Sequence, residues 1–253
     1  CLLNLKVTNF MQIVMEFWGK EFTAGIRWVE DLLPVLAYPQ SVKDNFKAYL
    51  MFRDVYKNEY DHKKIISNNL RYDITVIPPA KVGEEFIKTY GHYHPVAEGN
   101  QSYTEIYEVL EGEAFYLLQK LENGQVADFV VVEATKGDKV IIPPNYGHVT
   151  VNPSNKKLRM SNWVYRNFES LYEAYKSMRG ACYYYATSGW IENEMYKDTP
   201  PLRFVKPVIP EELDLNKKED MYGLIEDPEA LEFLWRPSEH QELFEEVFED
   251  LNN

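Results

Sequence analysis

The segment Thr89-Tyr90-Gly91-His92-Tyr93-His94 decides how the chain is read. It is followed by Glu105-Ile106-Tyr107-Glu108-Val109-Leu110-Glu111-Gly112, and then by a run from Gly137 through His148 to Asn152. These segments hold three of the five histidines. On an extended strand side chains alternate, so His92 and His94 share one face and Tyr93 takes the other. Two imidazoles at i and i+2 can then reach one ion without helical geometry. A His pair of this kind also occurs on surfaces and in cores, so the weight falls on the surrounding spacing. Glu105, Tyr107 and Val109 share a face of their strand and Glu108 points the other way.

Outward from this segment, residues 69–166 read as successive short strands rich in β-branched and aromatic residues. Examples are RYDITVIPP, TEIYEVLEG, AFYLLQKL, ADFVVVEA and DKVIIPP. Turn signals separate them at Pro78-Pro79, Glu111-Gly112, Asn123-Gly124, Lys136-Gly137 and Asn152-Pro153. Asn123-Gly124 is a hairpin signal, because both residues tolerate positive φ. Many short strands at regular spacing predict a barrel or sandwich.

The intervals resemble those of the cupin superfamily. Its first motif runs His-x-His, then Glu, then six residues and Gly. Its second runs Gly, five residues, Pro-x-Gly, two residues, His, three residues, Asn. Asn145 stands where that motif has Gly, and Asn tolerates the left-handed region best after Gly. The resemblance implies a mainly β fold, a cupin barrel (double-stranded β-helix or jelly roll), and a metal held by His92, His94, Glu105 and His148. Glu98 competes as the carboxylate ligand, since many cupins use the shorter spacing from His94. Its surroundings read as a loop and no Gly follows at the required interval, so Glu105 is preferred and residues 95–104 become a loop insertion. Three imidazoles and one carboxylate suit one divalent transition ion per subunit (Fe2+, Mn2+, Ni2+, Co2+ or Zn2+).

A finer resemblance, over about residues 45–175, is to the cupin-type phosphoglucose isomerases of archaea. It rests on Pro79, Lys81-Val82-Gly83 and Thr89-Tyr90-Gly91-His92-Tyr93-His94. It implies interconversion of glucose 6-phosphate and fructose 6-phosphate through a cis-enediol or a metal-assisted hydride shift. Glu105 is then ligand and candidate base, and Tyr107 shares its face in the site. Thr75, Thr89 and Gly91, with Tyr49, Tyr165 and Tyr172, would bind the substrate. The family's pocket histidine before its last tyrosine is missing; Glu169 or Ser170 occupies that region, with Arg166 and Lys88 as compensating cations. Alternatives are an isomerase of another sugar such as mannose 6-phosphate, a cupin dioxygenase, or a non-catalytic sugar-binding cupin. The family forms homodimers, which predicts a dimer with part of residues 15–68 against the neighbouring barrel.

The chain has 253 residues, 45% of them hydrophobic, with 19 Tyr and 13 Phe, enough for a packed core. The expected organisation is an N-terminal extension over 1–44, the barrel over 45–199 and an acidic helical extension over 200–253. In the last, EDPEALEFLW and SEHQELFEEVFEDL read as helices capped by Asp227 and Ser238, with solvated acidic faces. A net charge of −13 argues against a broad electrostatic grip on nucleic acid or an anionic membrane. It leaves room for a small phosphorylated ligand. Cys1 and Cys182 form no disulfide framework, and no apolar run reaches membrane-spanning length, so a cytoplasmic setting is expected. The opening CLLNLKVTNFMQIVMEF lacks an initiating Met and the marks of a signal peptide. The expected native start is Met15, with the first 14 or so residues non-native.

Overall fold

The computed structural model describes residues 6–8 and 12–251. Cys1 and Met11 lie outside the described residues. Met15 sits mid-strand in Gln12–Phe17, where the Ile13 carbonyl accepts from Ala24 N at 2.8 Å.

Two sheets build the barrel. The first has six antiparallel strands in the order Lys139–Ile142, Glu105–Glu111, Leu158–Tyr165, Leu70–Ile77, Lys47–Phe52, Gly25–Trp28. The second runs Tyr146–Val151, Glu113–Glu122, Gln125–Thr135, Arg203–Pro207, Phe248–Asp250. The hairpin from Glu113–Glu122 to Gln125–Thr135 turns at Asn123 (φ 52°) and Gly124 (φ 78°), the left-handed pair its twist requires. The architecture is mainly β. Gly25–Trp28 pairs with Lys47–Phe52, and Phe248–Asp250 with Arg203–Pro207. Segments on both sides of residues 45–199 therefore extend the barrel's own sheets.

Alternation divides the apolar residues into two cores. Between the sheets pack Val109, Tyr116, Leu118, Val130, Val132 and Met160. On the outer face of the six-stranded sheet lie Tyr72, Ile74, Ile106 and Trp163, which would meet water if uncovered. They are covered by Ile65 of helix Glu59–Ser67 and by Met221, Tyr222, Leu231, Phe233 and Leu234. Both faces of Leu70–Ile77 are thus buried.

The C-terminal segment differs from the two capped helices expected. It forms 3-10 turns at Met221–Glu226, Pro228–Leu234 and Pro237–Glu239, one short α-helix at Gln241–Glu245, and the strand Phe248–Asp250. Asp227 makes no side-chain cap, and Ser238 lies inside a turn. Three residues per turn stack i over i+3, so Leu231 and Leu234 face the sheet together between two prolines that interrupt longer helix. Polar contacts fix this cover: Trp163 Nε1 donates to Met221 O (2.9 Å), and Thr104 Oγ1 to Phe233 O (2.8 Å). Among the described residues no helix is long and apolar enough to cross a membrane.

Candidate metal centre

The site lies in the cleft between the sheets, and strand pairing places each side chain. On the inner face of the six-stranded sheet, Thr75 is paired with Met160, Asp73 with Asn162, and Arg71 with Val164. Asn162 is paired in turn with Tyr107, and Val164 with Glu105. From the opposite sheet comes His148, whose backbone exchanges hydrogen bonds with His92 (3.2 and 3.0 Å). His92 and Tyr93 form isolated bridges and no continuous strand, which differs from the extended strand expected there. Tyr93 packs against Gly147, where an added Cβ would lie 2.5 Å from the phenol ring.

His92, His94, Glu105 and His148 converge, with one ligand atom of each within 4.8 Å of all the others. His92 Nε2 is 3.2 Å from His94 Nε2, and Glu105 Oε2 is 3.4 Å from both His94 Nε2 and His148 Nε2. For an ion bound at roughly 2.0–2.2 Å, neighbouring ligand atoms lie about 2.8–3.6 Å apart. The cluster has that size. His94 Nδ1 is 3.0 Å from the Tyr103 carbonyl; donating there leaves the Nε2 lone pair directed inward. Asn162 Nδ2 donates to Glu105 Oε1 at 2.7 Å, and the buried Oε2 has no hydrogen-bond partner. An orphaned carboxylate oxygen facing imidazole nitrogens fits a divalent cation.

The electrostatics agree. Burial, then the neighbouring His148 and His94, push the His92 imidazole well below its ordinary value; burial also lowers His148. Burial works against the Glu105 charge, but the neighbouring His148 and His94 prevail and hold it well below the usual carboxylate range. Neutral imidazoles and an ionised carboxylate are the ligating forms. Tyr107, whose hydroxyl is 3.1 Å from His148 Nε2, is kept protonated by burial and by Glu105.

Over residues 26–201 the sequence matches the model of the glucose-6-phosphate isomerase family. The chain belongs to the glucose-6-phosphate isomerase family. It is 34% identical over 120 residues to the glucose-6-phosphate isomerase of Thermococcus onnurineus, covering 47% of this chain and 56% of the relative. It is 36% identical over 103 residues to that of Thermococcus litoralis, covering 41% and 48%. The chain spans about half the length of the curated relatives it matches. Among solved structures it is similar to oxalate decarboxylase from Bacillus subtilis, with TM-score 0.34, 16% identity, and 49% and 27% of the two chains covered. An oxalate oxidase in complex with glycolate gives TM-score 0.30, 18% identity, and 40% and 42% covered.

Every substrate residue inferred from the isomerase resemblance lines the same cleft: Tyr49, Thr75, Thr89, Gly91, Tyr165 and Tyr172, beside the four cluster residues and Tyr107. Ser170 lines it too. Glu98 is engaged elsewhere, accepting from Ser238 N (2.9 Å) and Oγ (2.6 Å), at the end of a small hairpin within residues 95–104. The two expected cations are also spent: Arg166 pairs with Asp54 at 2.6 Å and Lys88 with Glu85. The cleft instead carries Arg53 and Arg71, which the sequence reading missed. Their parity was available, since Arg71 falls in step with Thr75, and Arg53 with Tyr49. Arg27, paired with Tyr49 across adjacent strands, lies 5.7 Å from the Tyr90 ring.

Proposed function

We propose that this chain is a metal-dependent aldose-ketose isomerase interconverting glucose 6-phosphate and fructose 6-phosphate. The observation that carries the reading is the convergence of His92, His94, His148 and the unpartnered Glu105 Oε2 in one cleft with the hydroxyls of Tyr49, Thr75, Thr89 and Tyr172. His92, His94, Glu105 and His148 would hold a divalent transition ion, whose chemistry there would be Lewis-acid polarisation of the sugar's carbonyl. The hydroxyl end of the cleft, with the Gly91 backbone and Arg27 beside it, would receive the phosphate. The Thr89 hydroxyl, which accepts from Thr150 N at 2.9 Å, keeps its proton free to donate.

Glu105 Oε2 takes the proton from C2 of the aldose and returns it to C1, while O1 gains a proton and O2 gives one up, passing through a cis-enediol. Asn162 holds the other oxygen, so the carboxylate cannot rotate away. Tyr107 retains its proton beside His148 and supplies a donor to the sugar oxygens. The same residues could support a hydride shift from C2 to C1, which isotopic labelling distinguishes. The reading includes a homodimer, tested by sedimentation, and a cytoplasmic setting with Cys182 as a free thiol.

The test is a coupled assay on both hexose phosphates across a divalent-metal series, with Glu105→Ala alongside. The expected result is metal-dependent turnover, without oxygen uptake, that the variant loses while it stays folded. Turnover persisting in Glu105→Ala would refute Glu105 as the proton carrier.

A further inference from the structure

Arg53 and Arg71 line the cleft but belong neither to the metal cluster nor to the hydroxyl row. Both are held by Asp73, which is fully buried. Arg53 Nη1 donates to Asp73 Oδ2 at 2.5 Å, while Arg71 Nε donates to Oδ1 and Oδ2 at 3.0 and 2.9 Å. A further bond comes to Oδ1 from Asp54 N at 2.9 Å. Arg71 reaches Asp73 through Nε alone, so its two terminal nitrogens stay available. The side chains of Arg53 and Arg71 are 48% and 28% exposed. One buried carboxylate needs one cation. Here two guanidinium groups share one carboxylate, so one positive charge goes unmatched within the clamp.

The register says which end of the cleft carries this charge. Arg71 and Glu105 both pair with Val164, and Asp73 and Tyr107 both pair with Asn162, so the clamp is level with the metal cluster. Thr75 lies two further positions along the strand from Asp73, on the side of Tyr49 and Thr89. The phosphate end and the arginine end are therefore distinct. We propose that Arg53 and Arg71, clamped by Asp73, form an anion seat at the metal end of the cleft, taking negative charge on the first two carbons of a sugar phosphate. During turnover that charge is the enediolate; in a stable ligand it is the carboxylate of an aldonic acid phosphate. The inference rests on the isomerase reading and adds to it the residues that select charge at C1.

The test compares two ligands that share the phosphate and differ at C1, namely 6-phosphogluconate and glucitol 6-phosphate. Calorimetry on metal-loaded and metal-free protein measures both dissociation constants for wild type, Arg53→Gln and Arg71→Gln, with thermal melts confirming the fold. Wild type should favour the carboxylate, and each substitution should cut that preference about 10-fold, the worth of one charge-assisted hydrogen bond. Affinity for glucitol 6-phosphate should stay unchanged. If both ligands bind and the preference is the same in all three proteins, the anion seat is wrong while the isomerase reading survives. If neither ligand binds wild type, the sugar-phosphate reading fails and takes the seat with it.

Discussion

The side-chain amide of Asn162 donates to Glu105 Oε1 at 2.7 Å, leaving Oε2 as the oxygen that faces His94 and His148 at 3.4 Å each. The two residues sit on adjacent strands, where Asn162 pairs with Tyr107 and Glu105 with Val164. Removing a partner that orients a ligand typically costs 10–100-fold in metal affinity. Asn162→Ala is therefore expected to weaken metal binding by about that factor, read by competition with a chromophoric chelator. Unchanged affinity would mean that Glu105 is oriented by its strand alone.

Isotopic labelling tests how the hydrogen moves. If Glu105 Oε2 carries the proton, fructose 6-phosphate converted in D2O acquires deuterium at C2 of the aldose product, because a carboxylate proton exchanges with solvent. Full retention of the original hydrogen would assign the hydride shift instead. Mass spectrometry of the product distinguishes the two.

The C-terminal cover is expected to be integral to stability. Phe233 is fully buried against the outer face of the sheet, and its carbonyl accepts from Thr104 Oγ1 at 2.8 Å. Phe233→Ala should cost about 3–5 kcal/mol, as large-to-small core changes do. Denaturant melts measure it; a loss below 1 kcal/mol or so would show that the segment rests on the sheet without supporting it.

Much of the site was legible because strand parity is a rigid rule. Glu105 with Tyr107 follows from alternation once their strand is located, whereas His92 and Tyr93 form isolated bridges in place of the strand expected, and Thr75 came from the isomerase resemblance. Glu105 needed the distance to Gly112 as well, which alternation alone does not supply. Arg53, Arg71 and Asp73 have inward parity too, yet their clamp depends on two strands separated by helix Glu59–Ser67 coming into register. The 3-10 character of residues 221–239 was hidden for another reason. Its helical signals are local, whereas the need to cover Tyr72, Ile74 and Trp163 is set by a sheet far away in sequence.

Cys182 gives a pH prediction away from the site. Burial pushes its thiol up from the ordinary 9.0 to about 12, so the folded protein resists ionisation that the unfolded chain undergoes. Its contribution to stability is present below pH 9 and is lost as pH rises from there toward 12. Burial of Tyr49, Tyr72 and Tyr116 raises those phenols, which adds in the same direction. At pH 8 iodoacetamide should therefore leave Cys182 unmodified in native protein and alkylate it after unfolding, as peptide mapping would show. Rapid native alkylation would contradict its burial.

Metal removal and return test the central claim most directly. Protein stripped with EDTA and dialysed should show no isomerisation of glucose 6-phosphate, and one equivalent of Mn2+, Fe2+, Co2+, Ni2+ or Zn2+ per chain should restore it in at least one case. His148→Ala should fail to recover under the same titration. Full turnover in the stripped protein would contradict a catalytic metal at His92, His94, Glu105 and His148.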